Sequence, residues 1–132
     1  MGPLSVYAES KLEAEKILDG KNALSFRLGT LFGISDTYSR IRMDLVVNVL
    51  TARAFKHGKI GVFGGEQYRP LLHVRDVAEA FVQNIETDHT GVYNLHAANM
   101  KIYDLACAIQ GHFPEAEVEQ TPMKFEDSRN YR

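Results

Sequence analysis

The 132 residues include no tryptophan, one cysteine and four prolines, and neither sign of charge dominates. A single Cys107 excludes an internal disulfide. Its neighbours Leu105-Ala106 and Ala108-Ile109 are apolar, so it is expected to be a small buried hydrophobe in a helix rather than a reactive thiol, which needs a nearby cation. A reducing, cytoplasmic setting follows as the expectation. Lys plus Arg number 15 against 17 Asp plus Glu, a net charge of −2, which argues against nucleic acid held by phosphate neutralisation. No run approaches the roughly 20 apolar residues of a membrane span, and no signal pattern opens the chain. The histidines (His57, His73, His89, His96, His112) lack metal-ligand spacing, so no metal is expected. What remains, 45% hydrophobic and 24% charged, is the composition of one ordinary globular domain at most.

Periodicity supplies the elements. Val6 to Leu18 is rich in helix formers up to Gly20. Asn22 to Gly33 is densely apolar and ends at glycine, the pattern of a strand buried on both faces in a parallel sheet. Asp44 to His57 carries apolar residues at helical spacing until Gly58 stops it. Lys59 to Phe63 and Arg69 to Val74 read as short strands, with Gly64-Gly65 a turn between them. Asp76 is positioned to cap a helix from Val77 to Glu86 with the stripe Val77, Ala78, Phe81, Val82 and Ile85. Val92 to His96 reads as a strand, Ile102 to Gln110 as a helix ended by Gly111 and Pro114, and Ala116 to Gln120 alternates weakly. Helices and strands alternate, so the class is α/β. The chain opens inside a helix, which leaves that helix's apolar side to be covered by later elements, another chain or a further segment.

Tyr7-Ala8-Glu9-Ser10-Lys11 sets a phenol and an ammonium one helical turn apart on one face. A positive charge beside a phenol favours the phenolate, so the pair can exchange a proton with an alcohol or carbonyl oxygen. About 0.3 such pairs are expected by chance in a chain of this composition, so the pair alone says little.

Context says more. Taken in order, Tyr7 to Lys11, then Arg27-Leu28-Gly29-Thr30-Leu31-Phe32-Gly33, Asp44 to Asn48, Val62 through Arg69-Pro70-Leu71-Leu72-His73-Val74-Arg75-Asp76-Val77-Ala78, and Gly91-Val92-Tyr93-Asn94-Leu95 resemble the second half of extended short-chain dehydrogenase/reductases, specifically the NAD-dependent epimerase/dehydratase family. The resemblance covers nearly the whole chain. It implies the C-terminal part of a Rossmann-type sheet plus the small substrate-binding lobe, with the N-terminal dinucleotide-binding half missing. Residues 1–132 then form a single partial domain, 1–35 supplying the last Rossmann elements and 36–132 mostly the substrate lobe.

Roles follow by position. Tyr7 matches the family's acid/base tyrosine and Lys11 the lysine that lowers its pKa and bonds the nicotinamide ribose, so both also serve the cofactor, NAD or NADP. Leu31 falls on the nicotinamide side of that cofactor. Thr30, Asn48 and Arg69 fall where the substrate, a nucleotide-diphosphate sugar, is held, a task suited to an amide donor and a guanidinium fork. Arg42 and Arg129 are weaker candidates for the same anion. The bland alternatives are an Arg69 paired with Glu66 or Asp76 and an Asn48 that satisfies a loop. His73 reads as a structural hydrogen-bonding residue.

Departures carry weight too. Thr30 stands where many sugar-nucleotide epimerases carry Asn, which leaves the sugar and base open. No G-x-G-x-x-G fingerprint follows any strand. Tyr7 and Lys11 thus lack a hydride acceptor in this chain, and the expectation is a fragment inactive alone. Whether the parent reaction is epimerisation, dehydration or reduction stays open. So do two other roles, a non-catalytic nucleotide-sugar-binding module and a dimerisation module. The resemblance implies a homodimer through the Tyr7 helix and the 44–57 helix, with Leu12, Ile17, Val46 and Leu50 at the contact.

Overall fold

The computed structural model describes residues 5–34 and 36–122. Helix α1 (Val6–Leu18) is followed by strands β1 (Leu24–Leu28) and β2 (Thr30–Phe32), helix α2 (Val46–His57), strands β3 (Lys59–Phe63) and β4 (Tyr68–His73), and helix α3 (Val74–Asn84). Strands β5 (Gly91–Leu95) and β6 (Ala98–Lys101), helix α4 (Ile102–Gln110) and strand β7 (Glu117–Thr121) complete it. The class is α/β with mostly parallel pairing. β1 pairs with β5 and β3 with β7, both parallel, while β4 lies between β2, parallel, and β6, antiparallel.

The sequence pattern correctly locates α1, β3 and α4 to the residue, places α2, β4, β5 and β7 within two residues, and departs further elsewhere. The apolar run from Asn22 to Gly33 is two strands, not one, and it is not buried on both faces: no residue of β1 is fully buried, and β5 is its sole partner strand among the described residues. The break falls at Gly29, where an added Cβ would come within 2.9 Å of the Pro70 carbonyl oxygen and 3.1 Å of the His96 Cβ. Three strands crowd there, and only a residue without a side chain fits.

Helix α3 starts three residues before the expected Val77. Its N-cap is His73, whose Nδ1 accepts from the Arg75 N–H at 3.2 Å, and Asp76 sits inside the first turn, where its charge complements the helix dipole. The expected apolar stripe is present but uncovered, with Val82 69% exposed and no buried residue on the helix. Strand β6 carries no apolar alternation and was not expected. Cys107 lies on α4 as expected but is exposed, because Leu105, Ala106 and Ile109 take the buried face and Cys107 falls on the other.

The core is built by α2, β3, β4 and α4. Leu50 and Ala54 of α2, Ile60 and Val62 of β3, Leu71 of β4, and Ile102, Leu105, Ala106 and Ile109 of α4 form one cluster closed by Ala116. α1, β1, α3 and β5 contribute no buried residue to it. Among the described residues no helix is long and apolar enough to cross a membrane.

Candidate active site

Two cavities lie along the β1–β2 segment, with no residue lining both. The first lies between α1 and β1, about 410 Å³, with Tyr7, Lys11 and Leu28 in its lining. The second, about 480 Å³, is walled by α2 and β3 and includes Thr30 and Arg69. Leu28 and Thr30 are two residues apart in nearly extended chain, so the two linings approach within roughly 7 Å of each other there.

Helix α1 is prepared locally to present its tyrosine. Ser5 caps it, its Oγ accepting from the Ala8 N–H at 3.1 Å, and Ser10 Oγ donates back to the Tyr7 carbonyl at 2.8 Å. Tyr7 is 72% exposed, and the Lys11 ammonium sits over its ring, 5.5 Å from the centroid. The expected juxtaposition of phenol and amine is therefore present. A bidentate bridge fixes the helix to the strand beneath: Arg27 Nε and Nη2 donate to the Glu15 carboxylate at 3.0 and 2.6 Å. Those hydrogen bonds hold the Glu15 carboxyl below its ordinary pKa.

In the second cavity the structure brings Thr30 and Arg69 together and leaves the other sequence candidates aside. Arg69 is half-buried on β4, with Nη1 donating to the Tyr68 carbonyl at 2.9 Å. Glu66, one of its suggested partners, is held by Lys101 at 2.8 Å. The Asn48 carboxamide faces backbone: Oδ1 accepts from the Gly33 N–H and Nδ2 donates to the Arg42 carbonyl, both at 3.0 Å. Leu31 is half-buried in β2, registered with Leu72, and lines neither cavity. Arg42 grips Asp44, its Nε and Nη2 at 2.8 and 2.7 Å from the carboxylate oxygens. These bonds, joined by one from backbone, hold the Asp44 carboxyl at about 2. Arg129 lies outside the described residues. His73 is structural, its ring packed edge-on against Phe32 at 5.1 Å while Nδ1 caps α3.

Two further residues line the second cavity. Gln67 pins the Gly64-Gly65 turn, its Oε1 accepting from the Gly65 N–H at 2.8 Å and its Nε2 donating to the Phe63 carbonyl at 3.0 Å. Arg53 lines the cavity one turn beyond Val49 and Leu50. Its signal was legible: positions 46, 49, 50 and 53 share one helix face, and the last is a cation. Among the described residues no group of three or more His, Cys, Asp or Glu could hold a metal ion.

Comparison with known proteins gives the site a context. The profile of the NAD dependent epimerase/dehydratase family matches residues 1–95. The fold is similar to that of TunA, an NAD-dependent NDP-hexosamine 5,6-dehydratase of tunicamycin biosynthesis, at TM-score 0.79 and 23% identity over 100% of this chain and 45% of that one. It is also similar to a UDP-N-acetylglucosamine 4-epimerase from Methanobrevibacter ruminantium M1, solved with UDP-N-acetylmuramic acid, at TM-score 0.77 and 22% identity over 96% and 44%. L-threonine dehydrogenase from Phytophthora infestans matches as well, at TM-score 0.75 and 20% identity over 92% and 43%. The chain spans less than half the length of each. At these identities the likeness is one of fold, and the third protein is named for an amino acid rather than a sugar.

Proposed function

Since the chain belongs to the NAD-dependent epimerase/dehydratase family, we propose that it carries the acid/base pair and part of the substrate cavity of a nucleotide-sugar epimerase or dehydratase. The observation that carries this reading is the stacking of the Lys11 ammonium over the Tyr7 ring at 5.5 Å, with Thr30 and Arg69 together in the lining of a second cavity. Tyr7 exchanges a proton with a sugar hydroxyl or keto oxygen, and the Lys11 ammonium beside it can bond the same ligand. Arg69 offers a planar donor fork to the substrate diphosphate, and Thr30 a hydroxyl to the sugar.

The residues present suit the nicotinamide-ribose end of a dinucleotide, where an ammonium and a phenol can bond hydroxyls. The chain offers no glycine fingerprint for the pyrophosphate. NAD(P), when bound, supplies the hydride chemistry that the side chains cannot. Residues 1–35 then act as the last Rossmann elements, joined by β5, and most of 36–132 as the substrate lobe. The isolated chain is accordingly expected to bind a nucleotide sugar without turning it over. Calorimetry with UDP and GDP, and an assay with NAD and UDP-sugars, test this. Binding that Arg69→Ala abolishes, with no turnover, supports the reading; absence of any nucleotide binding refutes it, and turnover refutes the inactivity.

A second reading, self-association, is favoured by α1, which carries no buried residue and leaves Ile17 65% exposed. Leu50 of α2 is 4% exposed and belongs to the core, so α1 would carry most of such a contact. A concentration-independent monomer in sedimentation would sink it. A cytoplasmic setting fits both readings and the single cysteine.

A further inference from the structure

Arg53 is the feature of the second cavity that the family roles leave unused. Val49 and Leu50 precede it on the same face of α2, and both line the cavity with it. Leu50 and Ala54 are buried, so the Arg53 stem runs along an apolar wall while its guanidinium reaches water. Most cations nearby have partners: Arg42 holds Asp44, Lys59 holds Glu119 and Lys101 holds Glu66. Arg53 makes no hydrogen bond or ion pair among the described residues. The charged groups lining the cavity are Asp44, Arg53 and Arg69, and Arg42 already matches the carboxylate. What a ligand meets therefore includes the unpaired Arg53 guanidinium, in a cleft large enough for a small organic molecule.

We propose that Arg53 is a second anion contact of this cavity, taking the phosphate of a nucleoside diphosphate that Arg69 does not hold, so that preference for a diphosphate over a monophosphate resides in Arg53. The proposal rests on the reading of the cavity as a nucleotide-sugar site and adds to it a residue and a selectivity. An unpaired guanidinium costs little to redirect, since no existing bond must break, and its planar fork matches a phosphate edge. One guanidinium suffices for one phosphoryl group. A second becomes useful only when a second phosphoryl group is present.

The test is calorimetric titration of the 132-residue chain with UDP, UMP and uridine at low salt, for the wild type and for Arg53→Gln, Arg53→Lys, Arg69→Gln and Arg75→Gln. Arg75 is an exposed arginine in the first turn of α3 and does not line the cavity, so its variant reports the effect of net charge alone. Loss of a charge-assisted hydrogen bond predicts a roughly tenfold weaker UDP affinity in Arg53→Gln. UMP should weaken much less, uridine not at all, and Arg53→Lys should recover part of the loss. Equal, small effects from Arg53→Gln and Arg75→Gln would overturn the proposal and leave the site reading standing if Arg69→Gln still weakens UDP. A wild type that binds none of the three ligands would remove the site reading and this proposal with it. Arg53 is exposed, so unchanged melting of Arg53→Gln is expected and checks that the fold is intact.

Discussion

At the scale of single residues, Asp44 is the group whose titration the structure fixes most clearly. It lies at the rim of the second cavity, where a bare carboxylate would repel an anionic ligand. The bidentate grip of Arg42 cancels that charge and pulls the Asp44 carboxyl from its ordinary 3.8 to about 2. A depressed folded-state value stabilises the fold at every pH above the ordinary one, and the contribution is lost as pH falls from about 3.8 through about 2. The carboxyl resonance of Asp44 in an NMR titration should therefore show its midpoint near 2 in the wild type, and return toward 3.8 in Arg42→Gln. A wild-type midpoint already at the ordinary value would mean that the bridge does not persist in water, as many exposed pairs do not. Arg42 was considered from sequence only as an anion contact. Residue type alone could not say whether the guanidinium faces a ligand or a neighbour two positions away.

At the scale of elements, the joint between β2 and α2 shows what periodicity reads and what it cannot. The apolar spacing marks α2 because one face must enter the core, and Leu50 and Ala54 do so. It does not show how the intervening chain is anchored, since that depends on one side chain satisfying two distant backbone groups. Asn48 does this, with Oδ1 on the Gly33 N–H and Nδ2 on the Arg42 carbonyl. Gly33 has φ +110°, and an added Cβ there would fall 2.5 Å from His73 Nε2, so the end of β2 packs directly on the residue that caps α3. The amide thus holds the far end of β2, the loop before α2 and the start of α3 in one arrangement. Asn48→Ala removes one partly buried and one exposed hydrogen bond and should cost about 1 kcal/mol, read as a melting point several degrees lower. An unchanged melting point with weakened UDP binding would instead return Asn48 to the substrate role inferred from the resemblance. The same limit explains the other misses. β6 forms because β4 offers an edge, which its own residues do not announce, and His73 rather than Asp76 caps α3 because a histidine nitrogen happens to reach the Arg75 N–H.

At the scale of the molecule, burial is divided unevenly. α2, β3, β4 and α4 share one packed core, whereas α1, β1, β5 and α3 have no fully buried side chain. The second group is held by the β1–β5 ladder, the Glu15–Arg27 bridge and the edge-to-face contact of Phe26 with Phe81 at 5.3 Å. An exposed ion pair and one ring contact supply far less than a buried cluster, because apolar area removed from water is the dominant favourable term. The alternation of elements announces the α/β class but not this division, which depends on which faces find cover. Local opening should follow the same line. In native-state hydrogen exchange, amides of α4 and β3 should be the most protected, and those of α1 and α3 should exchange at least tenfold faster. Equal protection of α1 and α4 at low protein concentration would mean that packing absent from the described contacts covers the Tyr7 helix. Protection of α1 that rises with protein concentration would identify that cover as a second copy of the chain, and would favour the self-association reading. Protection of α1 that rises with UDP would instead tie the helix to the occupied substrate cavity. The exchange pattern therefore separates the two readings without requiring turnover.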